Sequence, residues 1–195
     1  RENYYVDAIL SVGRLDFDNS RTTSVSGARA TSKTNGWQYS SSVTAGYEFV
    51  REALNTSPYV RLNGSIAKLD SFSEEGAGTE NVSFDRQTIE SLSSVVGVRA
   101  DYAIKMSFGV LSPYARVEYE HTFTRASDST AAFSDTPGTN FILRGQTDDR
   151  DFFNVGVGAT LALPSSWAAS FDYELLAGHS DLVNNSFSAT LTKRF

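Results

Sequence analysis

The alternating stretch at residues 184–195 constrains the fold more than any other. Phe187, Ala189, Leu191, Lys193 and Phe195 alternate with Ser188, Thr190, Thr192 and Arg194. The period is two, with one face mainly apolar and the other wholly polar, as in a β-strand lying between two environments. An end on an aromatic strand residue would fray in water. A transmembrane barrel gives it a role, because the last strand must pair to close the ring and outward aromatics sit at a membrane interface. A closing strand of a soluble sandwich has the same alternation, so both readings stand on this stretch alone.

Upstream, the same period recurs at residues 4–17, 37–50, 58–72, 87–104, 110–124, 152–163 and 167–177, which predicts eight strands. Polar stretches at 18–35, 73–85 and 125–150 read as long loops, the last with a strand expected to extend above the membrane at residues 140–144. Those at 51–57, 105–109 and 164–166 read as short turns, and a medium connection falls near 179–183. An even strand number with long and short connections in alternation is the pattern of an up-and-down membrane barrel. A sandwich predicts no such alternation. The expected fold is therefore all-β, an antiparallel up-and-down transmembrane β-barrel, with residues 1–195 as one domain.

Composition agrees. Hydrophobic residues make up 40% of the 195, with no apolar run near the roughly 20 residues of a spanning helix. A mean hydropathy of −0.28 does not count against a membrane barrel, in which every second residue faces the lumen. The absence of cysteine fits a chain that crosses an oxidising periplasm, and it excludes disulfides and thiolate metal sites. A net charge of −6 argues against a nucleic-acid partner. The opening residues, Arg1 to Tyr4, lack the apolar core of a signal peptide.

One projected face collects Asp7, Glu48, Arg61, Arg99, Asp101, Arg116, Glu118, Glu120, Asp172 and Glu174. An Arg or Lys near the bilayer midplane costs about 2–4 kcal/mol, so this face reads as a hydrated, salt-bridged lumen. Glu118 and Glu120 share it with Arg116, which makes pore-lining chemistry the plainer reading than an acid–base dyad. His121 follows Glu120 directly, but strand neighbours point to opposite faces, so the two form no local relay. No nucleophile elbow, paired metal-binding histidines or phosphate loop occurs. No catalytic, cofactor or metal site is expected, and Glu74, Glu75 and Asp181 read as solvated loop carboxylates. Gly158 and Thr160 face the lumen and are expected to tolerate Asn. Trp37, Tyr39, Phe49, Phe153 and Trp167 lie outward near strand ends, as an aromatic girdle requires, and Lys193 reads as a snorkelling exception on that face.

The residues resemble a known family. Tyr5-Val6-Asp7-Ala8, Gly46-Tyr47-Glu48-Phe49, Ser57-Pro58-Tyr59-Val60-Arg61-Leu62, Val96-Gly97-Val98-Arg99 and the run from Ser112 to His121 follow in the expected order, with Phe195 at the close. Together they are similar to the C-terminal translocator domain of autotransporters (type V secretion) of Gram-negative bacteria. That family's barrel has about twelve strands and a lumen helix. This chain would supply the last eight strands, beginning at the family's fifth. The resemblance implies a non-enzymatic outer-membrane barrel that anchors an N-terminal passenger and supports its export. It also implies outer-membrane lipid and the barrel-assembly machinery as partners, with Phe187, Leu191 and Phe195 as the assembly signal. A complete eight-stranded outer-membrane protein with ligand-binding loops, and an outer-membrane hydrolase using His121, are the alternatives.

Overall fold

A computed structural model describes residues 2–124, 127–136, 138–145, 150–164, 166–177 and 184–193. Eight long strands form one antiparallel sheet: β1 (Glu2–Thr22), β2 (Arg29–Arg51), β3 (Leu54–Leu69), β6 (Gln87–Tyr102), β8 (Gly109–Thr122), β11 (Asp151–Ala162), β12 (Trp167–Ala177) and β13 (Asn184–Lys193). Each pairs with its neighbour in chain order. The short β7 (Ile104–Met106) continues β6 after a one-residue break and pairs with β8. The sheet curls into half a barrel and does not close. Among the described residues, the outer edges of β1 and β13 have no partner strand.

Parity sorts the two faces. Leu10, Phe187 and Leu191 are 83, 70 and 68% exposed, and Val43, Val60, Val96, Val117, Val157 and Phe171 share their face. The opposite face is polar, and Val95, at 1% exposure, is the one large side chain fully buried among the described residues. A water-soluble sandwich would invert this, because exposed apolar patches rarely exceed a few hundred Å² in water. The outer face here is a continuous apolar band, so the soluble reading fails and the hydrocarbon of a membrane is the solvent that fits it.

The turns on one end are tight. Glu52 and Ser166 adopt positive φ of 51° and 62°, closing β2–β3 and β11–β12 within a few residues. The other end departs from expectation. Residues 18–35, read from sequence as a loop, are mostly strand: β1 and β2 stay paired out to Thr22 and Arg29, with a true turn only at 23–28. The other long connections also contain strands, the one expected at residues 140–144 and three that were not expected. β4 (Phe72–Ser73), β5 (Val82–Phe84), β9 (Ser129–Phe133) and β10 (Asn140–Leu143) form a second antiparallel sheet in the order β10-β9-β5-β4. It joins the loop after β3 to the loop after β8, and the Phe72 and Phe84 rings stack at 4.7 Å.

That second sheet is tied to the β1–β2 extension. Thr31 and Glu75 exchange backbone hydrogen bonds at 2.9 and 2.8 Å. Arg21 donates from Nε and Nη2 to both carboxylate oxygens of Glu74 at 2.7 and 2.6 Å, and the Val82 amide donates to Glu74 at 2.9 Å. Glu74 is only 8% exposed. It is a structural clasp, not the solvated loop carboxylate expected from sequence. Its hydrogen bonds from Arg21 hold its carboxyl below the ordinary value of 4.5.

Candidate functional site in the polar wall

Register places the charged residues in rows across the polar face. In one row Tyr5, Gly46, Tyr59, Gly97, Glu118 and Asn154 are successive partners on β1, β2, β3, β6, β8 and β11. Glycine and long side chains alternate, and this has a geometric use. A Cβ on Gly97 would stand 2.6 Å from the Tyr59 ring, so the ring lies where a side chain on β6 would be. Tyr59 therefore crosses β6 entirely and donates its hydroxyl to Glu118 on β8. The same device recurs one sheet-width on. Tyr114 of β8 reaches Asp172 of β12 over Gly158, and Arg116 reaches Glu174 over Gly156.

Glu118 is the hub. It is 2% exposed and accepts from Arg61 at 3.1 Å on each carboxylate oxygen, with Arg116 Nε a further 3.7 Å away. Bidentate guanidinium pairing is the strongest geometry open to a carboxylate of this kind. Arg99 and Arg116 are direct register partners, a like-charge pair that would repel. Their neighbours separate them: Arg99 lies 3.8 Å over the Tyr114 ring and 4.0 Å from Asp101, while Arg116 turns to Glu174. Asn55 adds a bond to Asp101 at 3.4 Å. The structure thus brings Arg61, Arg99, Asp101, Arg116, Glu118, Asp172 and Glu174 into linked contacts. Asp7, Glu48 and Glu120 share the face but stand outside those bonds.

Sequence reasoning missed the two tyrosines that complete this network. The available signal was a glycine at the position opposite each tyrosine on the next strand. It also misjudged Gly158. A Cβ there would meet the Phe171 carbonyl oxygen at 2.6 Å, a backbone atom, as well as Tyr114, so substitution is not mild.

The hub carboxylate is fully engaged, although Arg116 Nε and Asn55 Oδ1 are buried without a hydrogen-bond partner. Glu118 is committed to two guanidinium groups and a phenol, and no pair of facing carboxylates remains for acid–base work. His121 faces outward and lies 2.7 Å from Asp151, which also accepts from Tyr119. Ser94 is its register partner on β6, yet no hydrogen bond joins them. Ser94 lies in continuous pairing on both sides, which leaves no free pair of amides for an oxyanion. Among the described residues no group of three or more His, Asp or Glu is placed to hold a metal ion.

On β13, Phe187 packs on Tyr173 at 4.8 Å and Leu191 points outward from an edge strand exposed along its length. Lys193 lies 5.2 Å over the Trp167 ring. Phe195, along with His179 and Asp181, lies outside the described residues.

Comparison with known proteins agrees with this architecture. The chain is 27% identical over 199 residues to Esterase EstA of Pseudomonas aeruginosa, a match covering 98% of this chain and 30% of that protein. It is 24% identical over 159 residues to Lipase 1 of Photorhabdus luminescens, covering 81% of this chain and 24% of the relative. The chain thus spans less than a third of the length of these curated relatives. The model of the autotransporter β-domain matches residues 1–174, and the curled, two-faced sheet described above is the architecture of an outer-membrane barrel. This chain belongs to the autotransporter β-domain family.

Proposed function

We propose that the chain forms the greater part of an outer-membrane translocator that anchors an N-terminal passenger and supports its export to the cell surface. The observation that carries this reading is the two-sided wall: an apolar face for lipid and a polar face whose charges are largely bonded to one another. Of the ten charged residues expected on the inner face from sequence, seven are carboxylates and three are guanidinium groups, and all three guanidiniums lie against wall residues. A passing polypeptide meets a fixed, hydrated surface on which these three guanidinium groups are already engaged.

The unpartnered edges of β1 and β13 call for more strands. We infer that further strands of the same protein complete the ring between them, to about twelve in all. The alternative of a complete eight-stranded barrel requires β1 to pair with β13, and among the described residues no such pairing supports it. The exposed edge of β13, with Phe187 and Leu191 outward and Phe195 beyond, suits recognition by the barrel-assembly machinery through strand addition. The chemistry named in the relatives is assigned to their unmatched length, and no enzymatic role or cofactor is given to this chain.

Full-length protein expressed with and without residues 1–195 tests the role. Passenger should be accessible to protease on intact cells only when these residues are present. Surface passenger in their absence would overturn the reading. On intact cells the turn at 23–28 should be cut and the tight turn at 52–53 spared.

A further inference from the structure

The β1–β2 pair is longer than a bilayer requires. A tilted spanning strand needs about 9–11 residues, whereas β1 and β2 run 21 and 23 and stay paired out to Thr22 and Arg29. Their loop-side ends therefore stand clear of the hydrocarbon, on the side where longer loops meet the cell exterior. The outward face of these ends changes character in two steps.

The first step is a single register row. Above the apolar row of Val12, Tyr39 and Ile66, the outward residues Arg14, Trp37 and Lys68 are direct partners on β1, β2 and β3. An indole thus lies between two cations, about 10 Å apart across two strand spacings. A Trp at this level marks headgroup depth. Arg14 has one loose partner, Asp16 at 3.5 Å with both side chains more than half exposed, and Lys68 has no ion pair among the described residues. Asp16 and Glu90 lie one row off on the two flanks, and Asp70 is held by Arg86 at 3.9 Å. No carboxylate stands between the two cations in the row.

The second step is a polar groove of about 640 Å³ farther from the bilayer. It is lined by Arg29 and Lys33, by Asp18 and Glu75, and by the hydroxyls of Thr31 and Ser73, with no apolar side chain. The backbone bonds between Thr31 and Glu75 fix the loop sheet against β2 and so hold the groove open at one width. From the bilayer outward, one strip of wall offers apolar contact, then a ring between cations, then interspersed donors and acceptors. A phosphorylated glycolipid presents the same order: acyl chains, a sugar phosphate, then a saccharide. Such a lipid forms the outer leaflet of an outer membrane.

We propose that this strip seats one lipopolysaccharide molecule. Arg14 and Lys68 hold its sugar phosphate, Trp37 packs on its sugar ring, and its saccharide lies in the groove. The acyl chains meet the same hydrocarbon everywhere around the barrel and add no selectivity, so recognition rests on the head. The seat depends on the membrane placement of the wall and is independent of passenger export.

The test is native mass spectrometry of the full-length protein in non-ionic detergent. It is titrated with lipopolysaccharide, with the same lipid dephosphorylated, with the same lipid cut back to its phosphorylated disaccharide, and with phosphatidylglycerol. Wild type should bind one lipopolysaccharide, more tightly than phosphatidylglycerol. A basic residue at a charged lipid surface is worth roughly fivefold in affinity, so Arg14→Gln with Lys68→Gln should weaken binding by about 25-fold. Dephosphorylation should weaken wild type to a similar extent and leave the double variant little changed. Thr31→Val and Glu75→Gln in the groove should weaken lipopolysaccharide but not the cut-back lipid. All four side chains are exposed, so urea stability of the barrel should not move. Wild-type affinity in the double variant, or equal affinity for lipopolysaccharide and phosphatidylglycerol, would overturn the seat. So would groove variants that do not distinguish the lipid with its saccharide from the lipid without it.

Discussion

In the spanning wall, parity alone assigns each residue its surroundings. Odd residues of β2 such as Val43 and Phe49 face out, even ones such as Thr44 and Glu48 face the lumen, and the neighbouring strands follow in register. In the loop-side sheet, parity assigns little. Ala77, Val82 and Ala131 are buried there, and the strands are two to five residues long. The wall is specified by a pattern repeated over many residues, which no single contact can undo. The loop-side sheet is specified by a few contacts between distant segments, the Arg21–Glu74–Val82 clasp above all. Substitutions should therefore act through the whole barrel in the wall and locally in the loop sheet.

The largest effect is expected at Glu118. Glu118→Ala leaves Arg61 and Tyr59 without their shared acceptor and Arg116 without a nearby countercharge, and removing one partner of a buried pair costs roughly 3–5 kcal/mol. Urea unfolding of the refolded barrel in detergent should lose stability toward the lower end of that range, because the lumen admits water. A loss below about 1 kcal/mol would mean the network is decorative. Val157→Arg, on the lipid face of β11, should cost about 2–4 kcal/mol and lower outer-membrane yield. Equal tolerance of Val157→Arg and Thr160→Asn would reverse the assignment of faces. Gly158→Ala should cost on the order of 1–3 kcal/mol, by pushing Tyr114 from Asp172 and pressing on the Phe171 carbonyl.

Effects in the loop sheet should be smaller and leave the wall intact. Glu74→Gln weakens the clasp by about 1–2 kcal/mol, read as faster proteolysis of residues 70–86 with unchanged urea stability of the barrel. The pH dependence has a definite sign. The folded carboxyl of Glu74 is lowered, so its contribution is fully present above the ordinary value of 4.5 and is lost as pH falls through the lowered one. Proteolysis of the loop should rise on acidification in wild type and change less in Glu74→Gln. At the bottom of the scale, Lys33→Ala removes the exposed 3.1 Å pair with Asp18 and should cost less than about 1 kcal/mol.

The eight strands, their faces and the three short turns were legible because each rests on local alternation or turn chemistry. Three things were not. Bonds such as Tyr59 to Glu118, 59 residues apart, exist only because Gly97 falls in register between them, and register emerges from pairing, not from either strand alone. The β1–β2 extension was read as a loop because its Ser, Thr, Gly and Arg composition resembles one. It stays paired because Arg21 is clasped by Glu74, and because Ala30, Ser32 and Thr34 are buried. Gly158 was read as merely small, whereas its task is to leave room for Tyr114.

The account rests on one strand-by-strand claim, that alternate residues of the wall face lipid and lumen. The chain contains no cysteine, so single cysteines report without background. Placed at Asn154, Val155, Val157, Ala159, Thr160 and Leu161 of β11 in a reconstituted bilayer, each carries a fluorophore probed by a lipid-soluble and a water-soluble quencher. The lipid-soluble quencher should act at 155, 157, 159 and 161, and the water-soluble one at 154 and 160. Uniform quenching by the water-soluble reagent along the strand, or the opposite alternation, would contradict the account.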